Sequence, residues 1–173
     1  MKAGLVPALM LLAAPLAAQQ GSAVSGLGAL YNVTKNNLVR AAEQMPEEHY
    51  GFKPTPEVRS FGGIVAHVAN ANYMICAMAG GGQNPSSANF EETLTAKADL
   101  VKAIKDSFTY CDAAYQMADA KGMESTTLFG MATNRMGVLA FNAAHGMEHY
   151  GNIVTYMRLK GLVPPSSQPR GGN

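Results

Sequence analysis

The sequence is poor in charged residues, has only two cysteines and lacks tryptophan altogether. Only 14% of its 173 residues are charged and 47% are hydrophobic, whereas disorder requires the opposite balance, so we expect a folded chain. Thirteen Lys and Arg residues against twelve Asp and Glu residues leave a formal charge of +1, which argues against a basic protein with a nucleic-acid partner. Two cysteines without a CxxC pair also exclude a cysteine-ligated zinc knuckle.

Several motifs and periodicities are also absent. The chain has no GxSxG motif, no GxxxxGK loop, no internal repeat and no strand alternation long enough to support a sheet. A serine hydrolase and a phosphate-binding loop are therefore poorly supported. The length suits one compact domain, and the patterns that are present are helical.

The first twenty residues are typical of a secretory signal peptide. One lysine precedes the uncharged run Ala3–Ala18, and two glutamines follow it. The run is shorter than the ~20 apolar residues of a spanning helix and contains two prolines, so we predict that residues 1–18 are removed, with an uncleaved anchor as the alternative. The prediction is a periplasmic or secreted protein with no stable membrane span after cleavage.

Four segments carry apolar residues at three- or four-residue steps, which is typical of helices packed on a core. They run from about Ser22 to Met45, from Ser60 to Gly80, from Thr95 to Gly122 and from Asn134 to Leu159 or Lys160. A proline-rich loop separates the first two, and residues 121–133 are ambiguous between a loop and a short extended piece. The sequence thus predicts an all-α four-helix bundle, followed by a disordered tail over residues 166–173.

The stretch HGMEHYGNIVTYMR contains two histidines four residues apart in the last predicted helix. Side chains at that spacing lie on one helix face, roughly 5–6 Å apart at their β-carbons, so His145 and His149 are spaced to hold one metal ion. The same face carries further polar residues that are candidates to support the ligands, namely Asn142, Asn152 and Tyr156. The alternative is that the pair merely lies on a solvated face.

A third histidine, His67, borders the apolar stripe of the second predicted helix. Alone it would more often be a buried core histidine than a ligand, but three of the four histidines on two amphipathic helices favour a three-histidine metal site. The fourth, His49, lies in the proline-rich loop and is expected on the surface. Three neutral imidazoles leave a coordination position open for water or a small-molecule substrate, and they do not choose among zinc, nickel, iron and manganese.

The chain resembles the DinB and YfiT-like superfamily of metalloenzymes in the loop MPEEHYGFKPTPEVRSFGGIVAHVANAN and in the final helix HGMEHYGNIVTYMRLKGLVPP. The similarity spans about residues 23–165. It implies a four-helix bundle whose second and third helices run parallel through a long crossover, with a divalent metal ion held by His67, His145 and His149. Several members are thiol-dependent transferases or isomerases that use low-molecular-weight cytosolic thiols, and an exported chain departs from that pattern.

Glu148 and the two cysteines take their interpretation partly from this resemblance. Glu148 stands where relatives often carry another histidine, and it is either a base near the metal or a solvated neighbour of His149. The cysteines are either buried free thiols or a disulfide formed after export. In the parallel arrangement Cys76 and Cys111 lie at the same end of the bundle, whereas an antiparallel hairpin would separate them by about 20 Å.

The sequence leaves three functional interpretations. The first is an exported metal-dependent enzyme, hydrolytic or group-transferring, and the second is a non-catalytic bundle that binds a metal ion or a small ligand. The third takes HGMEH as the HxxEH motif of inverted zinc peptidases, but that motif needs a downstream carboxylate ligand and no Asp or Glu follows Glu148. A homodimer through a helix face that the sequence does not identify is a further expectation.

Overall fold

The computed structural model describes residues 22–169, in which four long helices dominate. They are α1 (Ala23–Gln44), α2 (Phe61–Gly80), α4 (Lys97–Ala114) and α6 (Arg135–Leu159). Two short helices, α3 (Phe90–Thr93) and α5 (Asp119–Gly122), and 3₁₀ turns at Glu47–His49 and Pro165–Ser167 lie outside them. The predicted four-helix bundle is confirmed. The predicted signal peptide, residues 1–18, lies outside the described residues.

Polar caps start three of the long helices. The capping residues of α1, α2 and α6 are Ser22, Ser60 and Asn134, and each side-chain oxygen accepts a hydrogen bond from the backbone amide three residues further on. At its other end α2 stops where Gly81 takes a φ of 77°, in the left-handed region that glycine adopts without strain. These local signals explain why the sequence located these helix ends well.

The second and third long helices, α2 and α4, run parallel. Near the start of both, Gly62 lies against Leu100, and a Cβ added to the glycine would come within 3.1 Å of the leucine side chain. Towards the other end a disulfide joins Cys76 to Cys111, with 5.3 Å between their Cα atoms. Because the contacts occur in the same order along both helices, the arrangement is the parallel one that the family resemblance implied.

The last helix, α6, lies antiparallel to α2. Arg135 at the start of α6 donates a hydrogen bond of 2.9 Å to the carbonyl of Ala79 near the end of α2. Tyr156 near the other end of α6 donates one of 2.9 Å to the carbonyl of Arg59, just before α2 begins. The two helices therefore share a long boundary, and residues in the middle of each face one another across it.

The core fills the space between the long helices with aliphatic and aromatic side chains. Its largest fully buried members include Tyr31, Leu38, Phe61, Ile75, Phe108, Leu139 and Ile153. Burial of apolar surface is the main favourable contribution to folding, and each such side chain contributes roughly 1.5–3 kcal/mol. Within residues 22–169, none of the helices has both the length and the apolar character needed to cross a membrane.

A short β-hairpin precedes α6, where the sequence was ambiguous. Strands β1 (Ser125–Leu128) and β2 (Met131–Asn134) pair antiparallel, with Ser125 opposite Asn134. Phe129 and Gly130 form the two-residue turn, and both have positive φ, at 50° and 83°. Strands of four residues offer too few alternating positions for a periodicity argument to detect them.

The chain after α6 is ordered further than predicted. Residues Pro165–Ser167 form a 3₁₀ turn, and the Ser166 amide donates a hydrogen bond of 2.9 Å to the Tyr150 hydroxyl. Gln168 binds Arg40 and Gln44 of α1 through its side-chain amide. The predicted disorder of residues 166–173 is therefore wrong for residues 166–169, because polar composition does not reveal these contacts with α1 and α6. Residues 170–173 lie outside the described part.

Candidate metal centre

Three histidines converge on one point at the boundary between α2 and α6. The His145 Nε2 atom lies 3.2 Å from His67 Nε2 and 3.0 Å from His149 Nε2. The ligand atoms that the three side chains offer all lie within 4.8 Å of one another. The i, i+4 spacing places two of the rings on the same face of α6, and the antiparallel packing supplies His67 from the middle of α2. We call these three residues the histidine cluster.

Burial keeps two members of the histidine cluster neutral. His149 is buried with 7% of its surface exposed, and His145 is partly buried. Desolvation is the main cause, and the neighbouring imidazoles the next, of the lowering of the pKa of His145 to about 4. Desolvation also lowers the pKa of His149 to about 4, with additional effects from His67 and Arg59. A neutral imidazole is the form that binds metal ions.

Glu91 orients the third ring, although no motif or periodicity in the sequence points to it. The Nδ1 atom of His67 lies 2.8 Å from Glu91 Oε1, so Nδ1–H donates to the carboxylate and Nε2 keeps its lone pair towards the other histidines. Arg59 donates from Nε to the second oxygen, Glu91 Oε2, over 2.7 Å. Partial burial raises the pKa of Glu91, but the hydrogen bonds from Arg59 and His67 outweigh it and hold this pKa below its usual value.

The other two rings lack such an anchor. The Nδ1 atoms of His145 and His149 are buried and have no hydrogen-bond partner within residues 22–169. Buried polar atoms are satisfied in most folded proteins, and exceptions concentrate where another molecule or a function is involved. The histidine cluster is thus oriented from one side only, through His67 and the short helix α3.

None of the four residues predicted to support the ligands is hydrogen-bonded to a histidine of the cluster among the described residues. Asn142 accepts a hydrogen bond from Tyr115 and donates one to Asn72, and Tyr156 donates to the Arg59 carbonyl. Glu148 and Asn152 are exposed, and neither has a hydrogen bond to a histidine among the described residues. His49 lies outside the cluster, in the turn after α1. A polar residue on a helix boundary can turn towards either neighbouring helix, and sequence alone does not show which.

Two cavities border the histidine cluster. One of about 470 Å³ lies beside His67, between α2 and the crossover segment, and its lining includes both polar and apolar residues, such as Asn70, Asn89 and Met74. The other, of about 680 Å³, lies beside His149 and is lined by Arg59, Glu148, Asn152 and Tyr156, among others. Both are large enough for a small molecule to approach the cluster.

The donor set fits a divalent metal ion. Imidazole nitrogens suit zinc, copper, iron and nickel. Nitrogen ligands placed about 2.0–2.1 Å from a tetrahedral zinc ion stand about 3.3 Å apart. The distances from His145 Nε2 to the Nε2 atoms of His67 and His149, 3.2 and 3.0 Å, are close to this value, and all three ligand atoms lie within 4.8 Å of one another. Three nitrogens of this kind leave a fourth position for another ligand, which is the pattern of catalytic rather than structural sites.

Comparisons with known proteins agree with this fold. A family model for the DinB superfamily matches residues 30–153. A DinB-like protein from Bacillus cereus ATCC 10987 is similar in structure, with a TM-score of 0.71 and 16% identity, over 81% of this chain and 94% of that protein. A DinB-like protein from Bacillus subtilis has a TM-score of 0.67 and 22% identity, over 84% and 99% respectively. No curated protein sequence matches the chain.

A named enzyme has a similar fold as well. The mycothiol-dependent maleylpyruvate isomerase has a TM-score of 0.62 and 16% identity, over 75% of this chain and 60% of the isomerase. At such identities the likeness shows the fold alone. The family match establishes membership as well as fold, because it covers most of the chain and includes all three histidines of the cluster. The chain belongs to the DinB superfamily.

Proposed function

We propose that this chain is an exported, divalent-metal-dependent enzyme that carries out a hydrolytic or group-transfer reaction on a small molecule. The observation that carries the proposal is the convergence of three Nε2 atoms at 3.0 and 3.2 Å. An N–H at His145 Nε2 can donate to only one of the two neighbouring Nε2 atoms, whereas a shared cation satisfies the lone pairs of all three nitrogens at once.

Each residue of the site has a distinct part in this proposal. His67, His145 and His149 would hold the metal ion, which supplies Lewis acidity to a bound water molecule or substrate group. Glu91 fixes the ring of His67, and Arg59 fixes Glu91. The cavities on either side give a small substrate access to the ion. The candidate ions are zinc, nickel, iron and manganese, and imidazole ligands suit the first three of them best.

Export is the second part of the proposal. The first twenty residues are typical of a signal peptide, and the disulfide between Cys76 and Cys111 is of the kind that persists in oxidising compartments. A similar fold in a mycothiol-dependent isomerase supports an enzymatic role. Low-molecular-weight cytosolic thiols are scarce outside the cell, so we favour hydrolysis or transfer of a group that is not a thiol.

A non-catalytic metal-binding or ligand-binding bundle is the alternative, and one observation favours it. Glu91 is the carboxylate bonded into the site, and both of its oxygens are occupied by His67 and Arg59. General acid or base catalysis needs a titratable group within hydrogen-bond reach of the reacting proton. Exposed Glu148 beside the larger cavity would have to take that role in an enzyme.

The test is metal content, followed by turnover. We expect the wild type to hold a stoichiometric divalent ion by elemental analysis, His145→Ala to hold almost none, and His49→Ala, which changes a histidine outside the cluster, to match the wild type. The site would be refuted if His145→Ala held as much metal as the wild type. It would also be refuted if the wild type held no metal after loading. Turnover is then measured with the metal-loaded protein on panels of esters, amides and phosphoesters. If the wild type hydrolyses none of them, and Glu148→Gln is equally inactive, the non-catalytic alternative is favoured.

Export is tested separately. Expression of the full chain followed by cell fractionation should give a periplasmic or secreted product whose N-terminus lies close to residue 19. A product that keeps residues 1–18 and sediments with membranes would identify the uncleaved anchor instead.

A further inference from the structure

The tip of the hairpin carries two unfavourable features at one residue. Phe129 has a φ of 50° and is the only non-glycine residue with positive φ within residues 22–169. Turns of this kind strongly prefer asparagine, aspartate or glycine, because a bulky side chain is strained there. The phenyl ring is also 55% exposed to solvent. Strained conformations that persist in a folded protein concentrate at functional sites.

The ring of Phe129 is connected to the histidine cluster by a row of rings. Its centroid lies 5.6 Å from that of Phe141, in an edge-to-face contact at 80°. Phe141 in turn stacks on His145, with centroids 6.0 Å apart and planes inclined by 24°. The exposed aromatic surface is therefore continuous with one of the three rings that face the proposed metal position.

The hairpin base is held firmly while its tip faces solvent. Leu128 at the end of β1 is buried, and both strands contact α6. Arg135 joins the base through a hydrogen bond of 3.1 Å from its amide to the Glu124 carbonyl and an ion pair of 2.8 Å with the Glu124 carboxylate. The Phe129 ring is thus presented at a fixed place.

We propose that Phe129 and Phe141 form an apolar subsite, which receives the aromatic or aliphatic part of a small ligand whose polar group binds the metal centre. This inference rests on the proposed function and names the substrate class. Phe129, Gly130, Met131 and Phe141 carry no charge, and Met131 is 62% exposed, so this end of the site suits a neutral apolar group. The substrate is therefore a molecule with one polar, metal-binding end and one apolar end.

The experiment compares two metal-binding probes that differ in their apolar part. Cobalt-loaded protein is titrated with acetohydroxamate and with benzohydroxamate, and binding is followed by the visible spectrum of cobalt. In the wild type we expect benzohydroxamate to bind roughly tenfold more tightly than acetohydroxamate, because its ring stacks on the subsite. The ratio of the two Kd values should fall to about two in Phe129→Asn and should be retained in Phe129→Tyr, which keeps the ring.

Thermal stability is a second readout, and here Phe129→Asn is expected to lose nothing although its probe selectivity falls. Asparagine suits the turn, so Phe129→Asn should have a Tm equal to or higher than that of the wild type. The control Val163→Asn removes a similarly exposed apolar side chain, 57% exposed, in the loop after α6 and should leave the probe ratio unchanged. A ratio that is equal in the wild type and Phe129→Asn, or a Tm that falls by more than roughly 4 °C in that variant, would overturn the subsite while the metal centre stands. A wild type that binds no cobalt, or whose spectrum ignores acetohydroxamate, would refute the metal centre and the subsite together.

Discussion

Two polar clusters lie along α2 and α6, and they differ in how their hydrogen bonds are satisfied. The second, which we call the asparagine cluster, consists of Asn72, Ser107, Tyr115 and Asn142, all of them buried. Its hydrogen bonds form a continuous series. The Tyr115 hydroxyl donates to Asn142, Asn142 to Asn72, Asn72 to Ser107, and Ser107 to a backbone carbonyl. In the histidine cluster the ring nitrogens face one another, and two Nδ1 atoms have no partner among the described residues.

This difference in hydrogen bonding indicates a structural role for the asparagine cluster and a ligand-binding role for the histidine cluster. A buried polar group costs free energy unless it is hydrogen-bonded, and the asparagine cluster meets that requirement within the chain. It therefore specifies how α2, α4 and α6 pack. The histidine cluster does not meet it among the described residues, and its three side chains are placed where they could hold a metal ion. This comparison gives predictions of opposite sign for the two clusters.

The largest expected effect concerns the disulfide that lies one turn beyond the asparagine cluster on α2 and α4. The double change Cys76→Ala/Cys111→Ala opens a link across a sequence separation of 35 residues. The free energy of unfolding should fall by about 4 kcal/mol, chiefly because the unfolded chain gains entropy. Urea denaturation measures the fall. At a temperature where the variant is folded, the zinc Kd should stay within about threefold of the wild-type value, a difference of roughly 0.7 kcal/mol. A much weaker zinc affinity in the folded variant would show that the two regions are not separable.

Matched leucine substitutions should give opposite results in the two clusters. Asn142→Leu leaves the Asn72 side-chain oxygen buried without its donor, so we expect the free energy of unfolding to fall by about 2 kcal/mol. His145→Leu removes a buried ring nitrogen that has no partner, so the metal-free protein should be as stable as the wild type or more stable. Thermal unfolding of both variants in the presence of a chelator measures these changes. A loss of stability in His145→Leu comparable to that in Asn142→Leu would contradict the distinction.

Glu91→Gln should weaken metal binding by about tenfold, or roughly 1.4 kcal/mol. Glutamine keeps an acceptor for His67 Nδ1 but loses the charge that strengthens this bond and the one from Arg59. Competition titration with a zinc chelator measures the change. Glu92→Gln alters the adjacent exposed carboxylate and serves as the control. Equal zinc affinities in the two variants would mean that Glu91 does not position the ligand.

The parts of this molecule that sequence could predict are those that depend on helical periodicity. The spacing of His145 and His149 follows from one helix, and His67 was placed on the boundary of its apolar stripe by the same periodicity. Their meeting also required the helix order, which the family resemblance supplied. The resemblance thus predicts that α2 and α4 run parallel, and contacts such as that between Gly62 and Leu100 demonstrate it.

The parts that sequence could not predict depend on where connections run. Glu91 lies 24 residues after His67, on a four-residue helix that is too short to show any periodicity. For the same reason the sequence leaves the hairpin segment ambiguous between a loop and a short extended piece, and its Phe-Gly turn lacks the asparagine or aspartate that usually marks one. Asn142 was assigned to the histidine side because its position on α6 does not reveal that Asn72 and Tyr115 are its partners.

A further expected effect is the dependence of stability on pH in the metal-free protein. The pKa of His145 and of His149 is about 4 in the folded chain, against 6.5 for an ordinary histidine, so between these values the unfolded chain binds more protons. The free energy of unfolding should therefore fall as the pH falls from 6.5 towards 4 and should level off below that.

Carboxylates titrate in the same range, so the measurement is the difference in Tm between the wild type and the variant His145→Leu/His149→Leu at each pH. Two lowered pKa values act in the same direction, so we expect this difference to change by several degrees across the range. Asn142→Leu changes no group that titrates there, so its pH dependence should follow that of the wild type. If the double histidine variant also followed the wild type, the unusual protonation of the histidine cluster, and with it the contrast between the two clusters, would be refuted.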